Sequence, residues 1–134
     1  MPQEIVRTHE LAYTFFTEEC GDERLKIHSQ CVIDACLNMV KDTDLDPKVF
    51  VIAGWLHDIG RKIDKENHQE SGLESFARFL KRHSEFEPIK DEVTDCIRNH
   101  RTKGNPSTVY GLVFKAADKV ALRHKRWLDF TKGK

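Results

Sequence analysis

Apolar positions recur at three- and four-residue intervals almost from end to end of the chain, interrupted by glycine, proline and short polar clusters. That spacing predicts amphipathic helices. The first covers about residues 3–20 and stops at "CGDE", with Gly21 as terminator. A second starts near Asp22 and runs to about Lys41, with an apolar stripe of Leu25, Val32, Ala35, Cys36 and Met39. His28 falls inside that stripe, three residues after Leu25 and four before Val32. A third begins at "DP", where Asp46 suits a cap and Pro47 the first helical position. The segment that follows, "VFVIAGWLH", is apolar on every side and predicts the central helix. Its β-branched content makes a buried strand the competing reading. Gly60 reads as its terminator, which puts His57 and Asp58 in the last turn.

A fourth helix is expected from Asn67 or His68, carrying Leu73, Phe76, Ala77 and Leu80. The fifth begins near Pro88, with a stripe of Ile89, Val93, Cys96 and Ile97 that reaches His100 in register. "RTKGNPST" is a loop by composition. The last helix is expected over about residues 108–130, with Asp118 among Phe114, Ala121 and Leu122. No strand-like alternation of useful length appears. The predicted class is all-α, a compact single-domain bundle of five to seven helices over residues 1–134.

Composition narrows the function classes. The 134 residues carry 22 Lys+Arg and 22 Asp+Glu, a formal net charge of +0. Such a balance supplies no global field for a polynucleotide or an anionic membrane. No apolar run approaches the roughly 20 residues of a membrane span, and "MPQEIVRTHE" lacks an apolar signal core. The expected location is cytoplasmic. Cys20, Cys31, Cys36 and Cys96 form no Cys-x-x-Cys pair and read as reduced, partly buried thiols.

What composition does not explain is a set of polar residues at apolar places. His28 and His100 lie on apolar stripes, His57 and Asp58 end the most apolar helix, His68 opens a helix, and Asp118 sits inside the last one. Taken singly, each has an ordinary explanation: a hydrogen-bonded core histidine, a cap, an ion pair. His9, His83 and His124 keep that explanation, at surface or boundary positions. Taken together, imidazoles and carboxylates from several helices are how bundles build metal sites, and this ligand mix suits manganese, iron, cobalt, nickel or zinc. Adjacent helical residues point about 100° apart, so His57 and Asp58 reach one cavity only near a helix end.

The order His28, His57-Asp58, Asp118 resembles the metal-binding signature of the HD-domain superfamily of phosphohydrolases. "HDIG" at 57–60 and "ADK" at 117–119 carry the resemblance, which spans roughly residues 20–125. It implies that His28, His57, Asp58 and Asp118 bind one divalent metal. "NHQESG" around His68 and "IRNHRT" around His100 are similar to segments that supply extra ligands in two-metal members. In that arrangement Asp58 bridges two ions and His68 and His100 hold the second. The cofactor implied is manganese, iron, cobalt, nickel or zinc, with magnesium as a further option, at one or two per chain.

The implied activity is hydrolysis of a phosphate ester or anhydride of a nucleotide or other small molecule, with no polynucleotide and no membrane as partner. His57 and Asp58 are the expected catalytic pair. Arg61, Lys62, Arg101 and Lys119, with Lys103, are the basic residues placed to meet substrate phosphates. The glycine-tyrosine-proline signature of the cyclic-di-GMP branch is absent after His100. The extra acidic pair of the guanosine-tetraphosphate hydrolases is replaced by "RKIDKENH". Two other readings stand beside hydrolysis: a non-catalytic HD-like binding or signalling module, and a di-iron oxygenase.

Overall fold

The computed structural model describes residues 3–62, 68–101, 103–123 and 125–132. Seven α-helices and no strand occur among them: α1 Gln3–Glu19, α2 Glu23–Val40, α3 Pro47–Leu56, α4 His68–Arg82, α5 Lys90–Arg98, α6 Val109–Ala121 and α7 Lys125–Lys132. Short 3₁₀ helices cover Ile59–Lys62 and Ser84–Ile89.

Local chemistry accounts for most of the boundaries. Gly21 is the one described residue with positive φ, at 64°, and its N–H donates to the Phe16 carbonyl, closing α1. Asp22 caps α2 by accepting from the Leu25 N–H at 3.0 Å. Asp46 caps α3 through the Lys48 N–H at 3.0 Å, with Pro47 following it. Every residue from Val49 to Leu56 is buried, so α3 is the central helix, packed against α1, α2 and α5. A helix apolar all round is stable only when enclosed in this way.

Several details differ from the sequence pattern. The single last helix is two, α6 and α7, separated by a turn in which the Leu122 and Arg123 N–H groups bond back to Lys119 and Val120. That turn lets α7 pack on α2 and seats Trp127 against the core. Gly60 does not terminate α3: the helix ends at Leu56, and Gly60 lies within the following 3₁₀ turn without positive φ. On α2, Ile33 and Val40 are buried whereas Met39 is exposed. On α4 the core side is Phe76, Phe79 and Leu80, and Ala77 faces solvent. The cysteines form no disulfide, and Cys31, Cys36 and Cys96 are buried. No helix of the described residues is long and apolar enough to cross a membrane.

Candidate metal centre

The site lies where α3 runs out, facing α2, α5 and α6. His57 follows the last residue of α3 and is fully buried; Asp58 is next, 4% exposed. The turn after α3 is what lets both neighbours face one point. His57 donates from Nδ1 to the Gly54 carbonyl at 2.9 Å. A carbonyl can only accept, so the Nδ1 proton is fixed and Nε2 is left to face the site.

Around that nitrogen the structure gathers Asp58 Oδ2 at 3.2 Å and Asp118 Oδ1 at 3.4 Å. His28 Nε2 stands 2.9 Å from Asp118 Oδ1 and 3.7 Å from Asp58 Oδ2. His28, His57 and Asp58 each offer a donor atom, all within 4.8 Å of one another. Two donors sharing one metal at about 2.1 Å lie about 3.0–3.4 Å apart in octahedral or tetrahedral geometry. The observed spacings bracket that range.

One atom carries the fit. His57 Nε2 is fully buried and makes no hydrogen bond, although two carboxylate oxygens are close. A buried polar atom without a partner is rare and costly. Its surroundings call for positive charge. Burial would lower the pKa of His57, but Asp58 and Asp118 overcome this and raise it to about 10 without a metal. Burial would raise Asp58, yet the charge of His57, with His100 and His28 behind it, holds its carboxyl well below the usual range. Asp118 is held below its ordinary value against burial by His28 and His57. In the metal-free protein a proton on Nε2 occupies the position that the donor set suits for a divalent cation.

The other oxygen of Asp58 looks elsewhere. Arg61 Nε donates to Oδ1 at 3.2 Å, and His100 Nε2 is 3.8 Å from the same atom. His100 is buried, donates from Nδ1 to the Ile97 carbonyl at 2.7 Å and meets the His57 ring edge-on at 4.9 Å. Burial and the nearby His57 charge push its pKa down to about 4. His100 thus keeps an unprotonated nitrogen toward Asp58 at neutral pH.

Of the residues singled out by sequence, His28, His57, Asp58, His100 and Asp118 converge on this centre. Arg61 joins through Asp58. Arg101 and Lys103 are exposed on the loop after His100. Lys119 is exposed and is not among the residues lining the cavity over the site. The side chains of His68 and Lys62, and His124, lie outside the described residues. His9 and His83 occupy boundary positions, His9 accepting from Trp55 Nε1 at 3.3 Å.

Three residues were missed. The cavity above the centre, about 200 Å³, has Arg24 and Trp127 in its wall as well as His28, Asp58, Arg61 and Asp118. Arg24 lies over the Trp127 ring at 5.2 Å, and Trp127 meets the His28 ring at 5.4 Å. Arg24 was discoverable in principle, since it precedes His28 by one helical turn. Asp95, buried on α5, accepts from the Ser107 and Thr108 backbone N–H groups, the Thr108 hydroxyl and the Asn99 amide. Its signal was a carboxylate next to Cys96 and Ile97, twelve residues before a Ser-Thr pair.

The chain is 34% identical over 109 residues to ribonuclease Y of Thermus thermophilus, covering 79% of this chain and 17% of that protein. It is 33% identical over 96 residues to ribonuclease Y of Malacoplasma penetrans, covering 68% and 19%. With ribonuclease Y of Deinococcus radiodurans it shares 34% over 114 residues, covering 83% and 18%. The chain thus spans less than a fifth of the length of these relatives. No solved structure matches it. The HD domain family matches residues 25–123, the stretch that holds His28, His57, Asp58, His100 and Asp118, and the chain belongs to that family.

Proposed function

We propose that the protein is a metal-dependent phosphohydrolase, cleaving a phosphate ester or anhydride of a nucleotide or other small molecule. The observation that carries this reading is the buried Nε2 of His57, left without a hydrogen bond beside two carboxylates and a second imidazole. His28, His57, Asp58 and Asp118 would hold a divalent transition metal. Such an ion lowers the pKa of water toward neutrality and polarises a phosphoryl oxygen.

The chain's own groups supply the rest. The carboxylates of Asp58 and Asp118 offset the metal's charge, and the buried walls of α2, α3 and α6 limit access of bulk water. Asp58, which lines the cavity, would orient the attacking water and accept its proton as the new P–O bond forms and the bond to the leaving oxygen breaks, that oxygen taking up a proton from solvent. Arg61, fixed beside Asp58, presents its remaining guanidinium N–H groups to phosphate oxygens. Arg24 faces the same space from α2.

The division of Asp58 between two sets of neighbours supports a two-metal version. Oδ2 faces His28 and His57, and Oδ1 faces His100. Asp58 would then bridge, with His100 and His68 on the second ion and Arg61 displaced from Oδ1. A polynucleotide substrate also enters here: the relatives are named as ribonucleases, and an RNA phosphodiester presents the same reacting group as a small phosphodiester. Metal content by elemental analysis, followed by hydrolysis of nucleotides and of short RNA with and without manganese, tests the reading. Failure to bind any divalent metal would leave the non-catalytic module.

A further inference from the structure

A second cavity, about 450 Å³, is lined by Gln69, Arg98, Asn99, Arg101, Lys103 and Gly104. Among the described residues, three cations and two amides line it and no carboxylate, in a chain whose formal net charge is +0. Its position ties it to the metal centre. Asn99 and Arg101 flank His100, the buried imidazole facing Asp58, and Gln69 follows His68 at the start of α4.

The walls are preorganised. Asp95 fastens the far end of the loop at Ser107 and Thr108 and holds the Asn99 amide at 2.8 Å. The Gly104 carbonyl accepts from Lys115 Nζ at 2.7 Å, and the Gly104 N–H donates to the Arg101 carbonyl at 2.9 Å. A Cβ at Gly104 would lie 2.5 Å from the Asn99 carbonyl oxygen, so the loop folds directly onto the end of α5. Cations carried on a pinned loop lose less freedom on binding than cations on a mobile one.

We propose that this cavity holds a second phosphate group of the substrate, beside the one that is hydrolysed. The substrate is then an extended polyanion, a run of phosphoanhydrides or phosphodiesters, and an isolated monophosphate leaves the cavity empty. The proposal rests on the phosphohydrolase reading for the reacting phosphate, but the anion binding itself needs neither metal nor turnover. Arg98 and Lys103 are the residues that assign the cavity, since neither belongs to the metal centre.

The test is binding by the full chain in chelator, with two probes: inorganic tripolyphosphate and a short oligouridylate. In the Arg98→Ala/Lys103→Ala double variant, binding is expected to weaken about tenfold or more, with the salt dependence reduced by about one to two phosphate contacts. Arg82→Ala, which removes an exposed cation paired with Glu18 elsewhere, should change little. Tripolyphosphate binding with no gain from the oligonucleotide identifies a nucleoside polyphosphate. Affinity that rises with oligonucleotide length identifies an RNA strand. Equal affinity in wild type and the double variant, or no binding of either probe by wild type at low salt, overturns the proposal. Loss of binding in the double variant alongside failed hydrolysis screens would remove the phosphohydrolase reading and leave the anion site.

Discussion

His57 donates its Nδ1 proton to the carbonyl of Gly54, three residues earlier on α3. That bond fixes which nitrogen faces Asp58 and Asp118. Gly54 also packs directly against α2: a Cβ there would lie 2.3 Å from Ile33 Cγ1. Gly54→Ala must therefore push the helices apart or force Ile33 from its rotamer, at a cost of about 1–3 kcal/mol. Because the His57 ring is aimed through Gly54, metal affinity is expected to fall about 10–100-fold, as when a partner behind a ligand is disturbed. Thermal unfolding and a metal titration on the same preparation check both effects. Unchanged metal affinity in a destabilised variant would show that the Gly54 carbonyl does not set the ring.

Asp58 provides the sharpest separation of site from scaffold. Its side chain meets site groups: His28, His57, His100 and Arg61. Asp58→Ala should keep the helical circular dichroism while phosphohydrolase turnover falls about 10²-fold or more. Elemental analysis extends the test. His100→Ala lowering metal content from about two to about one per chain, with the same result in His68→Ala, establishes a second metal held by these two histidines. Content of about one, unchanged in both variants, restricts the site to His28, His57, Asp58 and Asp118.

The central part of this arrangement was legible because it breaks a rule. "VFVIAGWLH" is apolar all round, so the two polar residues that follow it had to be paired or bound to something. The caps at Asp22 and Asp46 and the stop at Gly21 were legible because each is fixed within a few residues. The break between α6 and α7 was not. No glycine or proline marks it, apolar residues continue through Ala121, Leu122, Trp127 and Leu128, and the turn is stabilised by the tertiary seat of Trp127. Asp95 was invisible for a similar reason, since its partners lie twelve and thirteen residues away and their meeting depends on the path of the loop.

The imidazoles give the metal-free protein a definite pH profile. His57 is raised to about 10 from 6.5, so its contribution to stability is present below about 6.5 and lost as pH rises through 10. His100 is lowered to about 4, so its contribution is present above about 6.5 and lost as pH falls toward 4. Asp58 and Asp118 are depressed, and their contributions disappear only in stronger acid. The metal-free midpoint temperature should therefore rise from pH 4 to about 6.5 and decline toward pH 10. Saturating manganese should abolish the alkaline decline, because Nε2 then carries the metal and no proton. A metal-free midpoint that stays flat from about pH 7 to 10 would contradict the charge balance described here.

Asp95 makes the last prediction, because it holds the loop and not the metal. Its carboxylate accepts from Thr108 Oγ1 at 2.6 Å, the Thr108 N–H at 3.0 Å and the Ser107 N–H at 3.1 Å. Burial would raise its pKa, but these bonds and Asn99 keep it below the ordinary value. Asp95→Ala strands those donors at the entry to α6 and is expected to cost about 3 kcal/mol, or roughly 10 °C in midpoint temperature. Gly111→Ala should act on the same joint, since its Cβ would lie 2.2 Å from Asp95 Oδ2. In both variants the metal held by His28, His57, Asp58 and Asp118 should match wild type, because these lie on α2, at the end of α3 and in the last turn of α6, away from the joint at the start of α6. Affinity for a polyphosphate should fall, because the Arg98–Gly104 cavity loses its pinned wall. Calorimetry, elemental analysis and a tripolyphosphate titration separate the three effects; loss of metal together with stability would mean that the loop and the centre are one structural unit.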